Sequence, residues 1–237
     1  NTLNSAYMIF GVVWIKSLYE NVDLNKIKTI YILDTGLKDK DLQFLKEFDK
    51  VEIINSDLNE TSTSDALPKN SIWLQHVLRK TKYFRKVLRK DDLPLVMVDS
   101  DCMFVSDIFE HLDFESDVLV CNRSYKDYDN WIASFFVANN VDKGIKFLNA
   151  WISRMKLLMI EQPNRGWFES HSLNLCIEEL KNDPKNEIKI GDVFTKNVAC
   201  EEISCYNKDT SVLHFSRFDR FNQLPEIRKK AFGYLSD

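Results

Sequence analysis

Glycine, proline and cysteine are all scarce, at six, five and five residues in a chain of 237. The glycines and prolines stand singly, which excludes a Gly- or Pro-rich linker, a low-complexity tract and a short repeat, so no internal domain boundary is expected. No apolar run approaches the roughly 20 residues that a membrane helix needs; the longest, at 7–15 and 93–98, fall far short, and no membrane span is expected. An excess of one charge is also missing. A formal net charge of −4 creates no broad field that would draw nucleic acid or anionic lipid. The cysteines are odd in number, widely spread and without paired histidines, which argues against a disulfide framework and a zinc-finger spacing. They read as free thiols in a reducing compartment. The chain opens on Asn1 without a cationic, apolar leader, so the expectation is a cytoplasmic domain, trimmed from or forming part of a longer protein.

What is present is ordinary globular composition, 44% apolar and 29% charged, with enough length to bury one substantial core. Apolar residues recur at helical spacing over 6–19, behind Asn4 and Ser5 as possible caps. Thr29-Ile-Tyr-Ile-Leu-Asp34 then reads as a buried strand closed by Thr35-Gly36. The alternation continues with a helix over 39–48, a strand over 51–54, a polar loop to 68, a helix over 71–89 and a strand over 93–98. Further strands are predicted at 117–121, 132–138, 188–194 and 211–215, with helices at 142–159, 168–180 and from about 225. This order specifies an α/β fold: a mixed, mostly parallel central sheet flanked by helices, in a single domain over 1–237.

Three Asp-x-Asp triplets occur, so the pattern alone carries little information. Asp39-Lys-Asp41 lies at a polar helix start and Asp127-Tyr-Asp129 in a loop. Asp99-Ser100-Asp101 directly follows Leu93-Pro-Leu-Val-Met-Val98, placing it at the C-terminal end of a buried strand, where open α/β sheets bind ligands. Asp99 and Asp101 there offer hard oxygen ligands to a divalent cation bridging two phosphates, with Ser100 beside the diphosphate. The plainer reading makes them turn and cap residues leading into Ser106-Asp107.

The segment Leu95-Val-Met-Val-Asp-Ser-Asp-Cys-Met-Phe-Val-Ser-Asp107 resembles the acidic motif of GT-A fold glycosyltransferases. The likeness extends to Thr29-Ile-Tyr-Ile-Leu-Asp-Thr-Gly36, to 132–139 and to Phe147-Leu-Asn-Ala-Trp151. It implies a GT-A-like domain with about 1–121 as nucleotide-binding half and 122–237 as acceptor-side half, its first strand truncated to Asn1-Thr-Leu3. It also implies transfer of a sugar from a nucleotide-diphosphate sugar, UDP favoured, to a hydroxyl of a glycan, lipid or protein acceptor. Val212-Leu-His-Phe215 is similar to a late strand whose histidine ligates the metal, which makes His214 a third ligand; an imidazole with carboxylates suits Mn²⁺ as well as or better than Mg²⁺. Trp167-Phe-Glu-Ser-His-Ser-Leu-Asn174 resembles a segment written as aspartate, glutamine, two variable residues, leucine and asparagine; Glu169 stands for the aspartate, as acceptor-binding residue or base. Ser134 replaces a glycine at a donor-sugar contact, and Asn4 and Tyr7 fall beside the nucleotide base.

Trp167 is the aromatic best placed to offer a sugar ring a platform; Trp131, Phe135, Phe136, Trp151 and Phe168 read as core. The basic residues from Arg79 to Lys90 read as a solvated helix face. Two alternatives remain open at this level. One is a degenerate domain that binds a nucleotide-sugar without transferring it. The other is a haloacid-dehalogenase-like phosphatase, whose nucleophilic Asp also follows an apolar strand but on the first strand of its fold.

Overall fold

The structure, a computed structural model, describes residues 1–56, 71–122, 131–162, 168–193, 199–200, 210–214 and 225–236. In chain order these form β1 (Thr2–Leu3), α1 (Met8–Asn21), β2 (Ile30–Asp34), α2 (Asp39–Leu45), β3 (Val51–Asn55), α3 (Ser71–Asp91), β4 (Leu95–Val98) and β5 (Cys102–Phe104). There follow β6 (Val118–Asn122), β7 (Trp131–Ala138), α4 (Val141–Glu161), α5 (Phe168–Asn182), β8 (Ile190–Asp192), β9 (Ala199–Cys200), β10 (Val212–His214) and α6 (Pro225–Ser236). The expected alternation of strands and helices is present, and most strand pairs are parallel: β1 with β2, β2 with β3, β6 with β8 and β9 with β10. The ladders fall into three sheets, ordered β1-β2-β3, β5-β10-β9 and β4-β7-β6-β8. The chain is a mixed α/β fold with helices flanking mostly parallel strands.

Contacts divide the chain into two compact units. The first comprises Asn1–Thr61, Val98–Leu112 and Lys196–Asp237. Here α1 buries Val13, Trp14, Ile15 and Leu18. Its Gly11 lets Leu3 of β1 approach so closely that an added Cβ would lie 3.0 Å from Leu3 Cδ1. Asn4 and Ser5, the expected caps, do not cap α1 itself. Asn4 Oδ1 accepts from the amides of Ala6 and Tyr7 and closes the turn before the helix, while the Ser5 hydroxyl donates to Asp41, so helical geometry begins only at Met8. At the start of α2, Asp41 Oδ2 also accepts the Lys38 amide at 3.3 Å. This buried carboxylate is a structural cap, in keeping with the reading of its triplet. Beyond Leu45 the amides of Glu47 and Phe48 turn to carbonyls three residues back, which ends α2 short of the predicted Phe48.

The second unit comprises Ser62–Met97 and Asp113–Thr195. β6 and β7 are buried along almost their whole length, so they read as apolar runs without alternation. Phe136, Phe147 and Trp151 form its aromatic centre, with ring centroids 5.2 to 6.5 Å apart. Gly144 is required where α4 crosses β7, since a Cβ there would lie 2.7 Å from that of Ala138. On α3, Lys86, Arg89 and Lys90 face solvent as expected, but Arg85 donates to Asn149 Oδ1 at 2.6 Å and Lys80 pairs with Glu169. Burial, followed by repulsion from Lys156, Arg79 and Arg85, holds the Lys82 ammonium below its ordinary pKa.

Candidate metal and donor site

β4 ends at Val98, and the triplet that follows is a tight turn in which the Cys102 amide donates to the Asp99 carbonyl at 3.3 Å. The turn delivers the chain into β5, a strand of three residues too short to show a periodic signal in the sequence. β5 exists because distant segments seize it. β10 pairs with it antiparallel in the register Val212 with Phe104, Leu213 with Met103 and His214 with Cys102. From the other side Ser17 Oγ of α1 accepts the Phe104 amide at 3.0 Å, and Asn21 Nδ2 donates to the Phe104 carbonyl at 3.2 Å. Met103, Leu213, Val13, Ile227 and Ala231 pack beneath as one apolar cluster, so the ends of β5 and β10 have a rigid floor.

This pairing carries His214 to the triplet. His214 Nε2 lies 3.2 Å from Asp101 Oδ1, with the side chains 13% and 20% exposed, so their interaction is only weakly screened by water. Cys102 joins them: the ligand atoms of Asp101, Cys102 and His214 all lie within 4.8 Å of one another. The cysteine is in no disulfide and is buried. Sequence reasoning did not single out Cys102; the only signal was its place next to Asp101, and its approach to His214 depends on strand register. Asp99 lies outside this cluster. Downstream, Asp107 is a cap: its Oδ1 accepts the Phe109 amide at 3.1 Å and starts a 3-10 turn. A carboxylate, an imidazole and a thiol together form a donor set for a divalent transition metal rather than for an all-oxygen Mg²⁺ site.

The remaining predicted residues divide between the units. Asn4 is buried at the turn into α1, and Tyr7 is the residue before that helix, its ring 5.8 Å from that of Phe10. Ser100 sits half-buried in the triplet turn. In the second unit Ser134 is buried inside β7, and Glu169 lies in the first turn of α5. Lys80 Nζ lies 2.6 Å from Glu169 Oε1, with the two side chains 13% and 15% exposed. At this depth the ion pair is only weakly screened by water. Reading the basic run as a solvated face missed this contact, because the partner lies far away in sequence. Trp167 lies outside the described residues, as do Asp127 and Asp129.

The neighbours of Glu169 show what the rest of its motif does. Leu173 is fully buried. Asn174 accepts the Trp131 amide at 3.0 Å and donates to the carbonyls of Trp131 and Ser170 at 2.7 Å each. Trp151 Nε1 donates to Ser172 Oγ at 3.0 Å, and that hydroxyl donates to the Glu169 carbonyl at 2.7 Å. Leucine, asparagine and serine therefore fasten α5 to β7 and α4, while Glu169 pairs with Lys80 of α3. A cavity of about 380 Å³ on α6, lined by Pro225, Arg228, Lys229 and Phe232, includes none of the predicted site residues.

A family profile described as nucleotide-diphospho-sugar transferase matches residues 38–182, more than half of the chain. Among solved structures, an active-site mutant of LgtC is 11% identical, with a TM-score of 0.62, over 98% of this chain and 94% of that one. The apo form of the glycosyltransferase GlyE from Streptococcus pneumoniae TIGR4 is 14% identical, with a TM-score of 0.63, over 98% of this chain and 58% of that one. The bifunctional glycosyltransferase WbbM in its apo form is 14% identical, with a TM-score of 0.58, over 91% of this chain and 45% of that one. The chain thus spans about half the length of GlyE and WbbM, and at these identities the likeness is one of fold. No curated protein is a significant match. Among the described residues, no helix is long and apolar enough to cross a membrane.

Proposed function

Since the chain belongs to the nucleotide-diphospho-sugar transferase family, we propose that it is a metal-dependent hexosyltransferase moving a sugar from a UDP-sugar to a hydroxyl of a glycan, lipid or protein acceptor. The observation that carries this reading is the approach of His214 to Asp101 at the end of the acidic turn. The donor set fits a divalent ion of the Mn²⁺ kind, with Mg²⁺ the less favoured alternative. Asp101 and His214 would hold the ion, and Asp99 would add a carboxylate from the same turn. When bound, it supplies positive charge that stabilises the diphosphate as it leaves.

The chain's own residues do the rest. Ser100 contacts the diphosphate from the turn, and Asn4 and Tyr7 meet the base. Ser134 contacts the donor sugar, and Trp167 is the platform for a sugar ring. Glu169, pinned by Lys80, accepts a hydrogen bond from the acceptor hydroxyl or takes its proton. The domain acts as one GT-A-like unit, with about 1–121 binding the nucleotide and 122–237 serving the acceptor side.

The test is a thermal-shift panel of UDP-, GDP- and CMP-sugars with and without Mn²⁺, because a ligand that binds only the folded state raises its apparent stability. A Mn²⁺-dependent shift confined to UDP-sugars is expected, and Asp101→Ala abolishes it while the fold persists. Unchanged donor affinity in that variant refutes the site assignment. Donor binding without sugar transfer or metal-dependent donor hydrolysis identifies a non-transferring binder.

A further inference from the structure

The antiparallel register that sets His214 opposite Cys102 also sets their side chains on the same face of the β5-β10 pair. Asp101, the residue before Cys102, reaches the same point from the turn. Three chemically different donors therefore meet within 4.8 Å, and Cys102 is 2% exposed. In a tetrahedral site with metal–nitrogen and metal–oxygen bonds of about 2.0–2.1 Å, those two donors stand about 3.3 Å apart. The observed separation of His214 Nε2 from Asp101 Oδ1 is 3.2 Å. With a metal–sulfur bond of about 2.3 Å, the sulfur stands about 3.6 Å from each of them, so from a separation of no more than 4.8 Å the thiol has at most about 1.2 Å to close.

We infer that Cys102 is a protein ligand of this site, bound as the thiolate, and that the Asp101–Cys102–His214 cluster selects a softer ion such as Zn²⁺ or Co²⁺ over Mg²⁺. The inference rests on the reading of Asp101 and His214 as metal ligands and adds a donor that this reading does not require. These three protein ligands leave further positions for Asp99 and the diphosphate, as a catalytic rather than a closed structural site requires. Binding exchanges the S–H bond of Cys102 for a sulfur–metal bond and releases the proton to solvent, with no change of oxidation state. Thiolate ligation favours Zn²⁺ and Co²⁺ because Mg²⁺ prefers six oxygen ligands and sheds its water reluctantly.

The experiment is a Co²⁺ titration of the metal-stripped chain followed by absorbance, with equilibrium dialysis to count bound ions. The wild type should bind one Co²⁺ with an intense near-ultraviolet thiolate-to-cobalt band, erased by equimolar Zn²⁺ and untouched by a large excess of Mg²⁺. Cys102→Ser should lose that band and bind Co²⁺ more weakly by at least the roughly 10–100-fold that outer-shell changes produce. Should that variant fail to fold, His214→Ala should lose the band as well. Cobalt bound without the band, or a band that persists in Cys102→Ser, overturns the role of Cys102 and leaves the metal reading standing. If the wild type binds no cobalt, the metal reading falls, and the role of Cys102 with it.

Discussion

Asn174 offers the sharpest test of how the Glu169 helix is held. Its side chain acts as a short strand edge for Trp131, accepting that residue's amide and donating to its carbonyl. Asn174→Ala leaves both groups without these bonds. The Ser170 carbonyl loses less, because the helix ladder already supplies it with the Asn174 amide four residues on. An orphaned buried amide costs about 1–3 kcal/mol, and a carbonyl with a second lone pair somewhat less. Asn174 is 6% exposed but Trp131 only half-buried, which places the total at about 2–3 kcal/mol. Against a typical stability of about 5–15 kcal/mol this is a large fraction. With a urea m-value of about 2–3 kcal/mol/M, the unfolding midpoint should fall by about 1 M. Asn174→Asp separates the contributions: it keeps an acceptor for the Trp131 amide but sets a carboxylate against two carbonyls, so it should be at least as destabilising as alanine. A loss below about 0.5 kcal/mol for Asn174→Ala, or a mild Asn174→Asp, refutes the account.

Two further outcomes are expected. Lys82 carries a pKa held below its ordinary value of 10.5; the unfolded chain binds this proton more strongly, so stability should rise as pH climbs through the window below 10.5. Lys82→Met should accordingly raise the melting temperature at neutral pH, and an equal or lower value would show that neither burial nor repulsion penalises the ammonium. Burial pushes the Cys176 thiol up to about 12, so in the native chain at pH 8 it should resist alkylation over times that label exposed thiols, as peptide mass spectrometry can follow; prompt labelling of Cys176 would contradict its burial.

Local sequence determined a good deal. Buried runs of four to eight residues alternating with helical periods specified the α/β class, because burial of one face imposes its period on neighbouring residues. The acidic triplet stood out from its two copies by following the apolar run of β4, and the segments around it carried the resemblance to the transferase family. Short elements were not legible. β5 and β9 span three and two residues, below any periodic signal, and exist by pairing with β10. The resemblance had already grouped His214 with the acidic triplet; only the tertiary structure added Cys102 to them and set Lys80 against Glu169. It also assigned Leu173 and Asn174 to docking α5. Each of these contacts joins segments far apart in the chain or depends on strand register and helix docking. Such relations are set by packing and ladder hydrogen bonds between distant segments, and no window of neighbouring residues encodes them.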